Sequence, residues 1–282
     1  MRRCVAVAVM LVLVPAAPAG AATQIGQTFS PPPAFCGPGG TTNLQSGSPG
    51  STHVAPTDGV ITTWSVQTPI GPPSLKLKLA RPLSATDFTI VGQSSVETPV
   101  ASTLNSFATR LPAHAGDVIG FAQVGPGGCL TQSGFPGYIW SNTGSDVPPG
   151  TTASFAAFAN NKLDISASLE PDVDGDGFGD ETQDQCPTDD TAQGACPVPD
   201  TTITKRPKNK TRKRTATFEF SSSIAGASFD CSLDGAAFAP CSSPDTLKVK
   251  KGKHHFEVRA TAKGQTDGSP ATDDWKVRKK RR

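Results

Sequence analysis

The chain of 282 residues has no amphipathic stretch of ten or more residues at helical spacing. After the first twenty residues it has no apolar run long enough to cross a bilayer. It holds four histidines (His53, His114, His254 and His255), one tyrosine and three tryptophans. No G-x-S-x-G elbow, H-E-x-x-H helix, phosphate-binding loop or dinucleotide fingerprint occurs in it. These absences exclude a helical bundle, a helical membrane protein and the motif-bearing enzyme classes. His254 and His255 are neighbours on a predicted strand, so they face opposite ways and do not chelate one metal together. Glycosidase chemistry needs only two carboxylates. From residue 22 to 163 the chain offers Asp58, Asp87, Glu97, Asp117 and Asp146, and Asp58 and Asp117 each adjoin a glycine at a turn. The expectation is a protein that is not an enzyme.

What the chain has instead is turn chemistry, with 28 glycines and 26 prolines. Between the turns lie short alternating runs: Gly59–Val66, Ser74–Leu79, Asp87–Val91, Ser106–Leu111 and Asp117–Ala122. Leu75, Leu77 and Leu79 alternate with Lys76 and Lys78, the period-2 pattern of a strand with one buried face. Several short strands at such spacing predict an all-β fold, here an antiparallel β-sandwich of jelly-roll type over residues 22–169. The same grammar returns on a smaller scale in Arg214–Phe220, Ala227–Leu233 and Gly252–Ala262, with Trp275 and Val277 anchoring a last strand. That predicts a second sandwich, immunoglobulin-like or fibronectin III-like, over residues 199–277, followed by a basic tail at 278–282.

Residues 1–21 read as a secretory signal peptide: Arg2 and Arg3, the apolar run Val5–Val14, then Ala19-Gly20-Ala21. Its apolar core is about 10 residues, against roughly 20 for a membrane span. Cleavage would remove Cys4 and leave six cysteines. An even count in an exported chain predicts disulfides. Cys186 with Cys196 and Cys231 with Cys241 are local pairs, which leaves Cys36 with Cys129. That last bridge closes a loop of about 95 residues, worth about 4–5 kcal/mol in the chain-entropy model.

Charge divides the chain more sharply than composition does. Residues 22–163 carry five basic and five acidic residues; 164–200 carry eleven acidic residues and no Lys or Arg; 201–282 carry nineteen basic against eight acidic. In the acidic segment, Asp172, Asp174, Asp176 and Asp180 alternate, with Gly177 at a sharp turn. Oxygen ligands spaced this way wrap one Ca²⁺, and so many carboxylates pack closely only around a counter-ion. Asp172, Asp174, Asp176, Gly177, Asp180 and Cys186-Pro187, with Cys196-Pro197 closing a second, degenerate unit, resemble the thrombospondin type-3 repeat of extracellular proteins. The resemblance implies a structural Ca²⁺ held by Asp172, Asp174, Asp176, Asp180 and the Phe178 carbonyl, over a connector at 170–198. Asp184 comes four residues after Asp180 where the repeat commonly has three, so Asp184, the Gln183 amide oxygen or water completes the set. An EF-hand does not fit: its twelfth position, Gln183, should be a bidentate Glu, and Pro171 precedes the loop.

The C-terminal segment is similar to bacterial Ig-like repeats of secreted surface proteins through Pro199–Ile203, Phe218-Glu-Phe220, Ala227–Gly235, Phe238–Cys241 and His255–Ala260. Such repeats act as spacers or adhesion modules. Two basic stretches, Lys205–Arg214 and Lys276–Arg282, suit a polyanion; with no aromatics interleaved, they argue against single-stranded nucleic acid. The expected function is a secreted or cell-wall-associated calcium-binding spacer or adhesion protein with a surface glycan, cell-wall polymer or protein as partner. Two rivals stand beside it: carbohydrate binding or processing by the first sandwich, with Trp64, Tyr138 and Trp140 able to stack on a sugar ring, though Trp64 is expected rather in the core, and a polyanion anchor in the basic C-terminal domain.

Overall fold

In the computed structural model, which describes residues 20–30, 40–46, 52–68, 74–124, 131–142, 144 and 146–279, the described residues form strands and turns and no helix. The signal-peptide residues 1–19, Cys36, Cys129 and residues 280–282 lie outside the described residues. Two compact units are present: Met1–Val173 with Gly177–Thr182, and Asp174–Asp176 with Gln183–Arg282. The residues of the acidic connector divide between the two.

The first unit contains β1 (Thr23–Gln27), β2 (Thr42–Gln45), β3 (Gly59–Gln67), β4 (Ser74–Pro82), β5 (Asp87–Gln93), β6 (Leu104–Ala113), β7 (Val118–Val124), β8 (Thr131–Asn142), β9 (Thr152–Ser154), β10 (Ala156–Leu163) and β11 (Ile165–Glu170). One sheet runs β1-β11-β3-β6 and the other β10-β8-β2-β7-β4-β5-β9. With β8, β9 and β10 set aside, the remaining orders β1-β11-β3-β6 and β2-β7-β4-β5 interleave as in a jelly roll, as expected. Leu75, Leu77 and Leu79 enter the core between the sheets with Ile61, Trp64, Ile119, Phe121 and Ile165. Each leucine contributes roughly 2 kcal/mol by leaving water.

The expectation of one buried face on β4 needs correction. On the far side of the larger sheet, Leu44, Ala80, Phe88, Ile90 and Val118 form a second cluster with Val147 and Phe155, which come from between β8 and β10. Lys78 lies beneath this cover with no exposed side-chain surface. Its ammonium is held by Asp146 Oδ1 at 2.5 Å and the Val147 carbonyl at 2.8 Å. Asp146 also accepts from Lys76 at 2.6 Å. A lysine is buried only when its charge is matched in this way.

The second unit contains β12 (Thr201–Lys205), β13 (Lys210–Thr211), β14 (Thr215–Ser222), β15 (Ser228–Leu233), β16 (Ala239–Cys241), β17 (Asp245–Lys248), β18 (Gly252–Ala262), β19 (Gln265–Thr266) and β20 (Ala271–Val277). One sheet is β12-β14-β17; the other is β13-β20-β18-β15-β16, with β19 on β18. The inward faces meet in an aromatic core: Phe218 stacks on Phe256 at 4.0 Å, Trp275 meets Phe218 edge-on, and Phe220 meets Phe229. Trp275 and Val277 are both buried, as the sequence predicts. Cys231 and Cys241 bridge β15 to β16 across their hairpin.

Candidate metal centre

Glu170, the last residue of β11, organises the start of the acidic loop. Its buried carboxylate accepts from Thr62 Oγ1 at 2.7 Å, Thr182 Oγ1 at 2.7 Å, the Thr182 amide at 2.9 Å and the Glu181 amide at 3.1 Å. Burial raises its pKa, but these four hydrogen bonds outweigh that and hold it below the usual range. Gly179 lies against it so closely that a Cβ would stand 2.5 Å from Glu170 Oε2 and 2.5 Å from Thr62 Cγ2.

Beyond Pro171 the backbone turns twice through the left-handed region, at Gly175 (φ 77°) and Gly177 (φ 84°), where glycine is favoured. The turns curl the alternating aspartates inward. Asp172, Asp174 and Asp176 each offer a carboxylate oxygen, and these oxygens lie within 4.8 Å of one another. The Gly177 amide donates to Asp172 Oδ2 at 3.1 Å and the Asp176 amide to Asp174 Oδ1 at 3.3 Å, so the backbone fixes the carboxylates.

Asp180 and Asp184 are buried but lie outside this triple. Asp180 Oδ1 accepts from the Val173 amide at 3.3 Å, tying the loop's exit to its entry. Asp184 Oδ1 accepts from the Cys186 amide at 2.7 Å, while its Oδ2 is buried with no hydrogen-bond donor among the described residues. The ring of Phe178 lies under the Arg110 guanidinium at 4.0 Å. Cys186 and Cys196 are bonded, as predicted, and Gln193, inside the small ring they close, donates to Asp176 Oδ2 at 2.8 Å. In the second acidic turn, Asp189 accepts from Thr191 Oγ1 at 2.6 Å and pairs with Lys263 at 3.0 Å.

Sequence reasoning missed Glu170, Gln193 and Lys263, since each reaches the loop through the fold. Of the three sugar-stacking candidates, Trp64, for which a core position is the favoured reading, lies in the core and is withdrawn as a stacking residue. Trp64 is fully buried and packs on Phe107 at 4.8 Å, because β3 is a central strand facing the core. Trp140 is half-buried against Phe88. Tyr138 is 57% exposed and Phe158 45%. Tyr138 pairs with Ala159, and Phe158 with Ile139, so the two exposed rings project from opposite faces of the sheet. They make no shared platform.

The carboxylates of the first sandwich are engaged individually. Asp117 takes Arg81 at 2.8 and 3.0 Å, Asp87 takes Ser84 and Ser154, Glu97 takes Ser95, and Asp58 takes the Ala115 amide. His254 and His255 face opposite ways, as expected, bonding Asp234 at 2.8 Å and Asp274 at 3.0 Å. No helix of the described residues is long and apolar enough to cross a membrane.

No protein-family model and no curated protein matches the chain. Among solved structures, the glycoside hydrolase domain of Endo-D from Streptococcus pneumoniae R6 aligns at 12% identity with a TM-score of 0.22, covering 86% of this chain and 33% of that one. A β-D-glucuronidase from Dictyoglomus thermophilum aligns at 12% identity and 0.19, covering 85% and 43%. The chain spans less than half the length of either, and likenesses this distant bear on neither fold nor activity.

Proposed function

We propose that the protein is a secreted, non-enzymatic calcium-binding module, a spacer or adhesion element whose acidic connector is stiffened by Ca²⁺. The observation that carries this reading is the convergence of Asp172, Asp174 and Asp176. Two like charges about 5 Å apart repel by about 3 kcal/mol at an effective dielectric of 20, so three gathered carboxylates call for a cation. All the donors are hard oxygens, which suit Ca²⁺, and its tolerance of irregular coordination suits a loop with two left-handed glycines. Asp172, Asp174 and Asp176 would hold the ion, with Asp180, Asp184 or the Phe178 carbonyl completing the set. The buried Oδ2 of Asp184 is an oxygen with no hydrogen-bond donor among the described residues. The ion would supply charge neutralisation and cross-linking of the loop, and no bond-making chemistry.

Two local disulfides support an oxidising, extracellular compartment. The individual engagement of the first sandwich's carboxylates supports a non-catalytic role. Calorimetric titration of the full chain with Ca²⁺ tests the reading. Saturable binding in the wild type, lost in Asp174→Asn/Asp176→Asn, is expected. Absence of binding by the wild type, or equal binding by the variant, would overturn it.

A further inference from the structure

The second unit gathers its unpaired positive charge at one end. Thr215, at the start of β14, lies opposite Lys248 of β17, and the Val249 amide donates to the Arg214 carbonyl at 2.9 Å. Gly252, at the start of β18, lies opposite Val277 at the end of β20. The Arg278 amide donates to the Thr211 carbonyl at 2.8 Å. Three stretches far apart in sequence thus share one end of the sandwich. Residues 210–214 bring four Lys or Arg, 248–253 four and 276–279 three, eleven in all and every one exposed. Elsewhere in the unit Lys205, Arg206, Arg259 and Lys263 are each paired with an acid. None of the eleven meets a carboxylate among the described residues.

Within this group, strand register makes a rank of lysines. Lys210 pairs with Lys276, and Lys276 pairs with Lys253, across the adjacent strands β13, β20 and β18. Directly paired residues share a face, with strands about 4.8 Å apart, so three ammonium groups stand side by side over about 10 Å. Like charges directly opposite each other destabilise a sheet. A fold serving only as a spacer gains nothing from such a rank. Two acids of the same unit are engaged elsewhere: Asp234 accepts from His254 and the His255 amide, and Asp274 pairs with His255. The acidic turn is held at the unit's opposite end, where Lys263, just past β18, binds Asp189. The eleven residues of β18 separate the ends. At about 3.3 Å per residue that is roughly 35 Å, several times the Debye length of about 8 Å.

We infer that this basic end is a docking surface for a linear anionic polysaccharide, lying across β13, β20 and β18 and held by the charge spacing along its backbone. Eight of the eleven cations are lysines, compact point charges that read charge density without the bidentate fork of arginine. Among the described residues no tryptophan, tyrosine or phenylalanine is exposed beside the rank, since Trp275 is buried, so a single-stranded nucleic acid meets only the His255 ring rather than a stacking platform. The patch is the end of a multistranded sheet, without the helix or two-stranded ribbon that enters a DNA groove. Val198 is the one large, well-exposed apolar side chain described in this unit, and it precedes β12, which leaves a membrane no apolar wedge at the basic end.

Retention of the full chain on immobilised hyaluronate tests this, with neutral dextran, single-stranded and duplex DNA, and anionic lipid vesicles as parallel arms. The expected result is hyaluronate binding that falls steeply with salt and is lost on dextran. Lys210→Gln/Lys253→Gln/Lys276→Gln should weaken it at least about tenfold and flatten its salt dependence, as loss of three ionic contacts requires. Lys205→Gln, which removes a paired lysine, should leave it unchanged. No retention on hyaluronate, tighter binding to DNA or vesicles, or a triple variant that is folded and binds like the wild type would overturn the inference. Chelating Ca²⁺ should leave this binding intact, which separates it from the calcium reading.

Discussion

His53 in the first unit and His254 in the second are both buried, and their pKa values move in opposite directions. His53 is enclosed at the end of the jelly roll, and neither ring nitrogen completes a well-formed hydrogen bond. Burial pulls its pKa down to about 4, offset in small part by the backbone of Leu163. For His254 burial also lowers the pKa, but the Asp234 carboxylate and the Lys250 carbonyl outweigh it and the net shift is upward. The contrast extends to the units as a whole. The first encloses a lysine, Lys78, along with His53 and Asp164; the second buries His254, Asp267 and Asp273 but keeps eleven unpaired cations on its surface. An enclosed group reports on its protonation state, whereas a displayed one reports on salt and partners.

The largest effect that would break this comparison concerns pH. Asp164 is fully buried, and burial pushes its pKa up to about 7, against weak opposing hydrogen bonds from the Gln67 and Phe29 amides and the charge of Lys162. Its folded state holds a proton that the unfolded state has released between about pH 4 and 7, so its stabilising contribution is present below about 4 and lost as pH rises. His53 works the other way. Its unfolded state takes up a proton below about 6.5, so its contribution is present above that pH and lost as pH falls towards 4. Across pH 4–6.5 the two slopes, each at most about 1.4 kcal/mol per pH unit, oppose one another. Relative to the wild type, Asp164→Asn should therefore gain stability with rising pH in urea unfolding, and His53→Leu should lose it. Two variants running parallel to the wild type would show that neither group titrates in this way.

Next in size is the enclosed ion pair. Lys78→Met keeps the buried stem and removes the charge, leaving Asp146 with Lys76 alone beneath the loop. Breaking such a pair from one side should cost about 3 kcal/mol, near the lower end of the buried range because Asp146 is partly exposed. Lys276→Met, on the displayed rank, should cost nothing comparable. A smaller loss, about 2 kcal/mol, is expected for Glu170→Gln, which weakens a four-fold hydrogen-bonded carboxylate at the loop entrance. Calcium affinity should fall with it, because Glu170 fixes the backbone that carries the aspartates.

What was legible in the sequence is what local spacing controls. Leu75, Leu77 and Leu79 declared one face of β4, the two ten-residue cysteine pairs declared their bridges, and Asp172, Asp174 and Asp176 declared a cluster because two tight glycine turns suffice to gather them. What stayed hidden depends on pairing at a distance. Lys78 reads as a solvent-facing residue until Val147 and Phe155 close over it. Glu170 looks like one more acid until Thr62, more than a hundred residues earlier, meets its carboxylate. The lysine rank belongs to three separate runs that only strand pairing brings side by side. Trp64 illustrates a further limit: an aromatic side chain does not reveal which face of its strand is covered.

The smallest expected effect is the one that sharpens the comparison most, because its sign is unusual. Replacing a surface residue at the centre of a strand ladder usually leaves stability unchanged or lowers it. Lys276, however, stands between Lys210 and Lys253, and its removal relieves two like-charge contacts. Threonine also favours strands more than lysine does. Lys276→Thr should therefore raise the stability of the second unit by about 0.5 kcal/mol at low salt, with the gain shrinking as added salt screens the rank. Denaturant unfolding at two ionic strengths measures it. A loss of stability, or a gain that ignores salt, would mean that the three ammonium groups do not repel as their register requires. The exposed end of the second unit would then differ from the enclosed charges of the first in position alone.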